Sequence, residues 1–282
     1  DPARGFSDGR PTSIGIHDED AGRAAPTLWN VAFLKRFFWD ARASSLEAQA
    51  PGSLYSRREM GNTPKQLLAS LNGNAVYRRL FQETFPSDRG PITEQQVFTA
   101  LAAFQTSLVS LNSRYDRYVH GHDAALSERE IEGLNVFRSF VARCSECHTP
   151  PLFTNEQIAV IGMPEPDGRP FDIGAEPILG SPKLKGGFKV PTLRNIARTA
   201  PYSHSGAFAD LHGVVEFYNK GRGNAVPKDL GLYLHWHISD PKLTEAEVDR
   251  IVDFLGALTD ETFLPQQPAR VPSGLTPIKR GK

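Results

Sequence analysis

Apolar residues in the first sixty positions come in short bursts, such as residues 34–39, separated by Gly, Pro and charge. This predicts loops and short helices as far as about Asn62. A helical repeat follows. Thr93 with Gln96 has the form of a capping box, and Val97, Leu101, Phe104 and Leu108 then recur at helical spacing as one buried stripe. Residues 112–125 are polar and aperiodic, which places a domain boundary there. A second box, Ser127 with Glu130, opens a helix whose Ile131, Leu134, Phe137 and Val141 run directly toward residue 144. A helix from about Leu211 to Asn219 is stopped by Gly221. A third box, Thr244 with Glu247, starts a helix with Val248, Ile251, Val252, Leu255 and Leu258 on one face. Residues 149–190 are rich in Pro and Gly, and the tail from Pro265 is an aperiodic, proline-rich arm. No strand pair and no internal repeat stands out. The pattern predicts an all-α protein with long irregular loops, divided into residues 1–118 and 119–282.

The two cysteines of the chain, Cys144 and Cys147, stand one helical turn apart with His148 directly behind. This is the C-x-x-C-H attachment pattern of a c-type haem. Two thiols at that spacing reach the vinyl groups of one porphyrin, and the adjacent imidazole falls beneath the iron as its proximal ligand. A redox dithiol does not need the histidine, and a zinc site needs more nearby ligands than this region offers.

Composition narrows the field further. The 282 residues carry 32 basic and 32 acidic side chains, so no charge excess attracts nucleic acid, and the one basic run is Lys279, Arg280 and Lys282 at the end. No window approaches the ~20 apolar residues of a membrane span. With both cysteines committed to haem no disulfide framework remains, and bacterial c-type haem attachment occurs outside the cytoplasmic membrane, so the motif predicts a periplasmic protein.

The sixth iron position decides the chemistry: methionine favours electron transfer at high potential, whereas an anionic ligand or an open site favours oxidised iron. The two methionines are poorly placed for the C-terminal iron, because Met60 lies in the other half and Met163 follows His148 too closely. His204, His212, Tyr202 and Tyr218 all remain candidates on spacing alone.

The words of the sequence add a resemblance. Phe188-Lys189-Val190-Pro191-Thr192-Leu193-Arg194-Asn195 and Thr199-Ala200-Pro201-Tyr202-Ser203-His204-Ser205-Gly206 resemble the C-terminal haem domain of the bacterial di-haem cytochrome c peroxidase and MauG family. Phe38-Trp39-Asp40-Ala41-Arg42 and Glu59-Met60-Gly61-Asn62 resemble its N-terminal haem domain, with Ala41 where glycine is usual. The opening residues 1–11 resemble the stretch that follows the family's first C-x-x-C-H. The resemblance spans essentially the whole chain. It implies two cytochrome c-like haem domains and two haems c, the first attached by cysteines that would precede residue 1. The competing expectation is a mono-haem relative.

The resemblance also implies roles. Counting from His204 along the following helix, Tyr218 matches the position of the sixth ligand, tyrosine in MauG-like members and methionine in ordinary peroxidases. A phenolate there would lower the iron potential and support a high-valent, bis-Fe(IV)-type state. Trp39 matches the tryptophan between the haems, Glu59 the carboxylate that moves the peroxide proton, and Gln49 a polar neighbour of that site. Pro191 and Arg194, within the Phe188–Asn195 motif, are expected to contact the C-terminal haem. Ile16, with His17 beside it, stands where classical peroxidases carry a removable distal histidine, which implies an open peroxide site. A calcium site between the haems is implied by the carbonyls of Thr199 and Pro201, weakened by Ala24 in place of an asparagine. Residues 140–143 lack the tryptophan through which MauG serves its partner, which implies a different substrate.

The expected protein is thus a periplasmic di-haem oxidoreductase that uses hydrogen peroxide to oxidise a tryptophan side chain of a partner protein. The alternatives are peroxide detoxification fed by a small electron-transfer protein, and a plain electron-transfer cytochrome.

Overall fold

The computed structural model describes residues 1–221, 223–265 and 268–275. Lys279, Arg280 and Lys282, the one basic run, lie outside the described residues. In chain order the helices are α1 (Leu46–Tyr55), α2 (Pro64–Gly73), α3 (Ala75–Thr84), α4 (Glu94–Thr106), α5 (Arg114–Val119), α6 (Glu128–Phe137), α7 (Cys144–Cys147), α8 (Glu176–Leu179), α9 (Leu211–Asn219) and α10 (Glu245–Gly256). The capping boxes at Thr93, Ser127 and Thr244 form as the sequence predicts, each satisfying backbone N–H groups that a helix start leaves unpaired.

One core cluster joins α5, α6, α9 and α10 through Tyr115, Phe137, Phe153, Val215, Val248, Ile251, Phe254, Leu255 and Leu258. Each such side chain contributes about 1.5–3 kcal/mol when fully removed from water. Helices α6 and α10 cross at Gly133, where a Cβ would stand 1.8 Å from the Arg250 carbonyl oxygen. A smaller cluster of Val31, Phe37, Ala43, Leu46 and Ala102 holds the N-terminal half around α1 and α4.

A buried polar network ties the halves. Asn30 and Ser110 exchange two hydrogen bonds of 2.8 and 2.9 Å, Asn195 donates to the Ser110 hydroxyl at 2.8 Å, and the Asp260 N–H donates to Asn195 at 2.9 Å. Every donor and acceptor here must find a partner because water cannot reach them.

Four expectations change. The chain is not purely helical: β1 (Ile158–Val160) and β2 (Gly187–Lys189) form an antiparallel pair with Ala159 opposite Phe188. Three-residue strands are too short to show a period of two in sequence. On α4, Val97 is buried but Leu101 and Phe104 are 37% and 51% exposed, and the inward positions are Gln96 and Ala102. Helix α6 ends at Phe137 with Arg138 as its cap, Val141 lies exposed beyond it, and Arg143 then turns the chain into α7 with a left-handed φ of 55°. Finally, residues 112–125 contain α5, capped by Ser113 and Asp116, so a break between 118 and 119 falls within that helix. Its anchor, Tyr115, packs with the C-terminal core, and the Tyr115 N–H donates to the Ala257 carbonyl at 3.3 Å. The described tail carries no helix or strand and meets the N-terminal half where Asn74 donates to the Pro272 carbonyl. Among the described residues no helix is long and apolar enough to cross a membrane.

Candidate functional site

Helix α7 is a single turn that sets Cys144 and Cys147 side by side, and its last bond runs from the His148 N–H to the Cys144 carbonyl at 2.9 Å. Both sulfurs are free thiols. Burial pushes the Cys144 thiol up to about 12 and also raises Cys147, which Glu146 raises further. Thiols held protonated are poor redox nucleophiles, which disfavours a catalytic dithiol. Zinc is disfavoured too: among the described residues no three His, Cys, Asp or Glu side chains are grouped to hold an ion.

His148 Nδ1 lies 3.0 Å from the Phe153 carbonyl oxygen. A carbonyl can only accept, so Nδ1 carries the proton and Nε2 keeps its lone pair, the tautomer an iron ligand needs. Burial lowers the affinity of this imidazole for a second proton, against the opposing pull of the Phe153 and Pro191 carbonyls. Pro191 thus faces the imidazole ring through its backbone oxygen.

Helix α9, whose Val215 belongs to the core cluster against which Cys144 packs, is started by Asp210, whose carboxylate accepts the Gly213 N–H at 2.8 Å. Val215 buries in the core, and Tyr218, three residues on, shares that side of the helix. Burial, then the nearness of Cys147 and Cys144, raises the Tyr218 phenol well above its ordinary value, which places the hydroxyl within electrostatic reach of both sulfurs. Cys144, Cys147, His148 and Tyr218 are all half-buried. The other sixth-ligand candidates are occupied. Tyr202 donates to the Ile196 carbonyl at 3.0 Å, His204 meets Glu165 at 2.7 Å, and exposed His212 lies 3.7 Å from Asp249. Two adjacent thiols, an imidazole lone pair and a nearby phenol form a donor set that fits a c-type haem. Cys144 and Cys147 would carry it as thioethers, with His148 beneath the iron.

Arg194 is turned into the interior. It is 1% exposed, and its guanidinium grips both carboxylate oxygens of Asp116 at 2.6 and 2.8 Å while Nε donates to the Pro151 carbonyl at 2.7 Å. The cation is partnered inside the protein, as a buried charge requires.

Trp39 sits at the junction of the halves. Its indole N–H donates to the Ala24 carbonyl at 2.9 Å, its own carbonyl accepts from Lys189 N–H at 2.7 Å, and its ring meets His204 edge-on. His204 in turn stacks on Phe188 at 3.8 Å. Glu59 lines a cavity of about 340 Å³ together with Ile16, Arg58 and Met60, and the Ile16 N–H donates to the Glu59 carbonyl at 2.8 Å. Gln49 lies on α1 and donates to the Ser53 hydroxyl at 3.0 Å, outside that lining. At the expected calcium position Ala24 offers no side-chain oxygen, and its carbonyl already accepts the Trp39 indole N–H. The Thr199 hydroxyl donates to the Ile196 carbonyl at 3.1 Å, and Pro201 follows a cis peptide bond.

Sequence reasoning missed Asp116, Thr192, Phe153 and the His204–Glu165 pair. The Ser113-x-x-Asp116 capping form was the available signal for the first. The others depend on contacts across long sequence separations.

These features fit a c-type haem protein, and comparison with known proteins makes the class specific. Residues 1–124 match the family model of di-haem cytochrome c peroxidase. The chain is 31% identical to the cytochrome c551 peroxidase of Nitrosomonas europaea over 91% of its own length and 71% of that relative. It is 34% identical to the methylamine utilization protein MauG of Methylophilus methylotrophus over 77% of this chain and 64% of that one. Among solved structures, a MauG-like protein associated with microbial copper homeostasis superimposes with a TM-score of 0.81 at 30% identity, over 93% of this chain and 82% of that one. The di-haem peroxidase BthA of Burkholderia thailandensis superimposes at 0.79 and 26% identity, over 98% and 83%. The chain belongs to the di-haem cytochrome c peroxidase and MauG family of oxidoreductases.

Proposed function

We propose that this protein is a periplasmic, peroxide-dependent di-haem oxidoreductase of the MauG-like kind, which withdraws electrons from a tryptophan side chain of a partner protein. The observation that supports the reading is that the buried Tyr218 phenol lies within electrostatic reach of Cys147 and Cys144, the residues next to His148. When bound, the haems supply the redox-active iron. The rest is the work of this chain. Tyr218 offers oxygen rather than sulfur as a donor, and an anionic oxygen favours oxidised iron. Trp39 fills the junction between the halves with an aromatic ring suited to relay electrons. Glu59 provides a carboxylate for moving a proton within its cavity, and Ile16, with no imidazole, leaves that cavity open to hydrogen peroxide. Calcium held by the Thr199 and Pro201 carbonyls would need its remaining ligands from elsewhere, since Ala24 supplies none.

A second reading, peroxide removal fed by a small cytochrome, is favoured by the likeness to the Nitrosomonas peroxidase. Treating the full-length, haem-loaded protein with hydrogen peroxide and co-encoded periplasmic proteins, followed by mass measurement, separates the two. A mass change in a partner's tryptophan supports the first. Rapid oxidation of reduced cytochrome c with no protein modified overturns it. In Tyr218→Phe the ligand-field spectrum of the C-terminal haem changes; an unchanged spectrum would exclude Tyr218 as ligand. Electron transfer without catalytic peroxide consumption would instead identify a simple cytochrome.

A further inference from the structure

We propose that the buried Arg194–Asp116 pair positions His148, setting through the Phe153 carbonyl how strongly the imidazole donates to iron. The inference rests on the reading of His148 as the proximal ligand.

The geometry is a zipper. Residues 190, 192 and 194, alternate positions of one extended segment, each bond the loop behind the histidine. The Thr154 hydroxyl donates to the Val190 carbonyl at 2.6 Å, the Thr192 hydroxyl to Leu152 at 2.6 Å, and Arg194 Nε to Pro151 at 2.7 Å. Between these points Phe153 presents its carbonyl to His148 Nδ1 at 3.0 Å. Phe153 is fully buried, and its φ of 56° is left-handed, a conformation unfavourable for a non-glycine residue that persists only where surroundings enforce it. The enforcement is visible. Its ring packs edge-on against Tyr115 at 5.0 Å, and the Arg194 guanidinium carbon stands 5.3 Å from its centroid.

Arg194 is itself fixed from α5. Asp116 takes two of its N–H bonds, at 2.6 and 2.8 Å, and the Ser113 hydroxyl takes a third at 3.3 Å. With the Pro151 bond, four of its five N–H groups are committed to protein acceptors. Asp116 is also the capping partner of Ser113, so the start of α5, the loop and the histidine form one mechanical chain. A firm Nδ1–H···O=C bond gives the imidazole more anionic character and stabilises oxidised iron, so a loosened bond raises the reduction potential.

The test uses the full-length, haem-loaded protein and reads the midpoint potential of the C-terminal haem by spectroelectrochemical titration. Arg194→Lys and Asp116→Asn are each expected to shift it upward, and the double variant to shift it less than the sum. Gln96→Ala, which removes the buried capping partner of Thr93 at the start of α4, away from the clamp, is the control: it lowers the melting temperature and leaves the potential in place. Should the arginine variant fail to fold, Thr192→Val loosens the same loop and is read in the same way. Potentials of the clamp variants that match the wild type, or a shift in Gln96→Ala of equal size, overturn the proposal. Peptide mass analysis of the wild type tests the underlying reading separately: absence of haem on Cys144 and Cys147 ends that reading, whereas attached haem with unmoved potentials ends only the clamp.

Discussion

The indole of Trp39 meets the imidazole of His204 edge to face, with ring centroids 6.4 Å apart and planes at 72°. The backbone doubles this contact, because Ala24 donates its N–H to the His204 carbonyl at 2.7 Å and accepts the Trp39 indole N–H at 2.9 Å. Trp39 and His204 are therefore held to one another by a residue from a third segment. Trp39→Phe keeps an aromatic ring but leaves the Ala24 carbonyl without its indole donor. It is expected to cost about 1 kcal/mol in urea unfolding and to slow peroxide-driven oxidation of an added donor at unchanged haem content. An unaltered rate would remove Trp39 from the electron route.

Acid should loosen the same junction. Arg23 bonds Asp172 through Nε at 2.7 Å and Nη2 at 2.9 Å, and Asp40 through Nη1 at 2.7 Å. Burial alone would raise the Asp172 carboxyl, but bonds from Arg23 and the Gly174 N–H outweigh it and hold the folded-state value below the ordinary 3.8. A depressed carboxylate contributes stability that is complete above the unfolded value and fades as pH falls through the folded one. Asp172→Asn is expected to cost about 2 kcal/mol at neutral pH, and the gap to wild type should close as unfolding is measured at successively lower pH below about 4. A gap constant down to pH 2 would contradict this.

What sequence conveyed and what it hid divide along contact range. The cysteine turn, the three capping boxes and the α10 face are local patterns, and Val248 and Leu258 are indeed fully buried. Tyr218 could be singled out only through resemblance, since spacing alone left His204, His212 and Tyr202 equally open. Leu101 and Phe104 follow the same helical period as Val97, but periodicity identifies a face and not what covers it. The Arg194–Asp116 pair spans 78 residues, and an arginine inside a family-like motif reads as a ligand contact until its acceptor is located.

Gly133 offers a packing prediction independent of any cofactor. With a Cβ due 1.8 Å from the Arg250 carbonyl oxygen and 2.9 Å from Phe254 Cβ, neither neighbour is a flexible side-chain end that can move aside. Gly133→Ala must push α6 and α10 apart within the largest core cluster. The helix propensity of alanine, better than glycine by about 1 kcal/mol, works in the opposite direction. Overpacking costs about 1–3 kcal/mol or more, so a net loss is expected, read as a lowered melting temperature. A stabilised variant would mean that the helices are further apart.

Glu59 tests the other half of the molecule. Among the described residues that line its cavity, with Arg58, Ile16 and Met60, Glu59 is the one that carries a carboxylate. Glu59→Gln preserves size and hydrogen bonding while removing the titrating oxygen. A positioned acid–base group contributes about 10²–10⁴-fold, and peroxide consumption by the haem-loaded variant is expected to fall within that range. The melting temperature should hardly move, because the backbone bond from Ile16 to the Glu59 carbonyl is untouched by the substitution. Full peroxide turnover in Glu59→Gln would assign the proton transfer to another group and leave this cavity as an entry path alone.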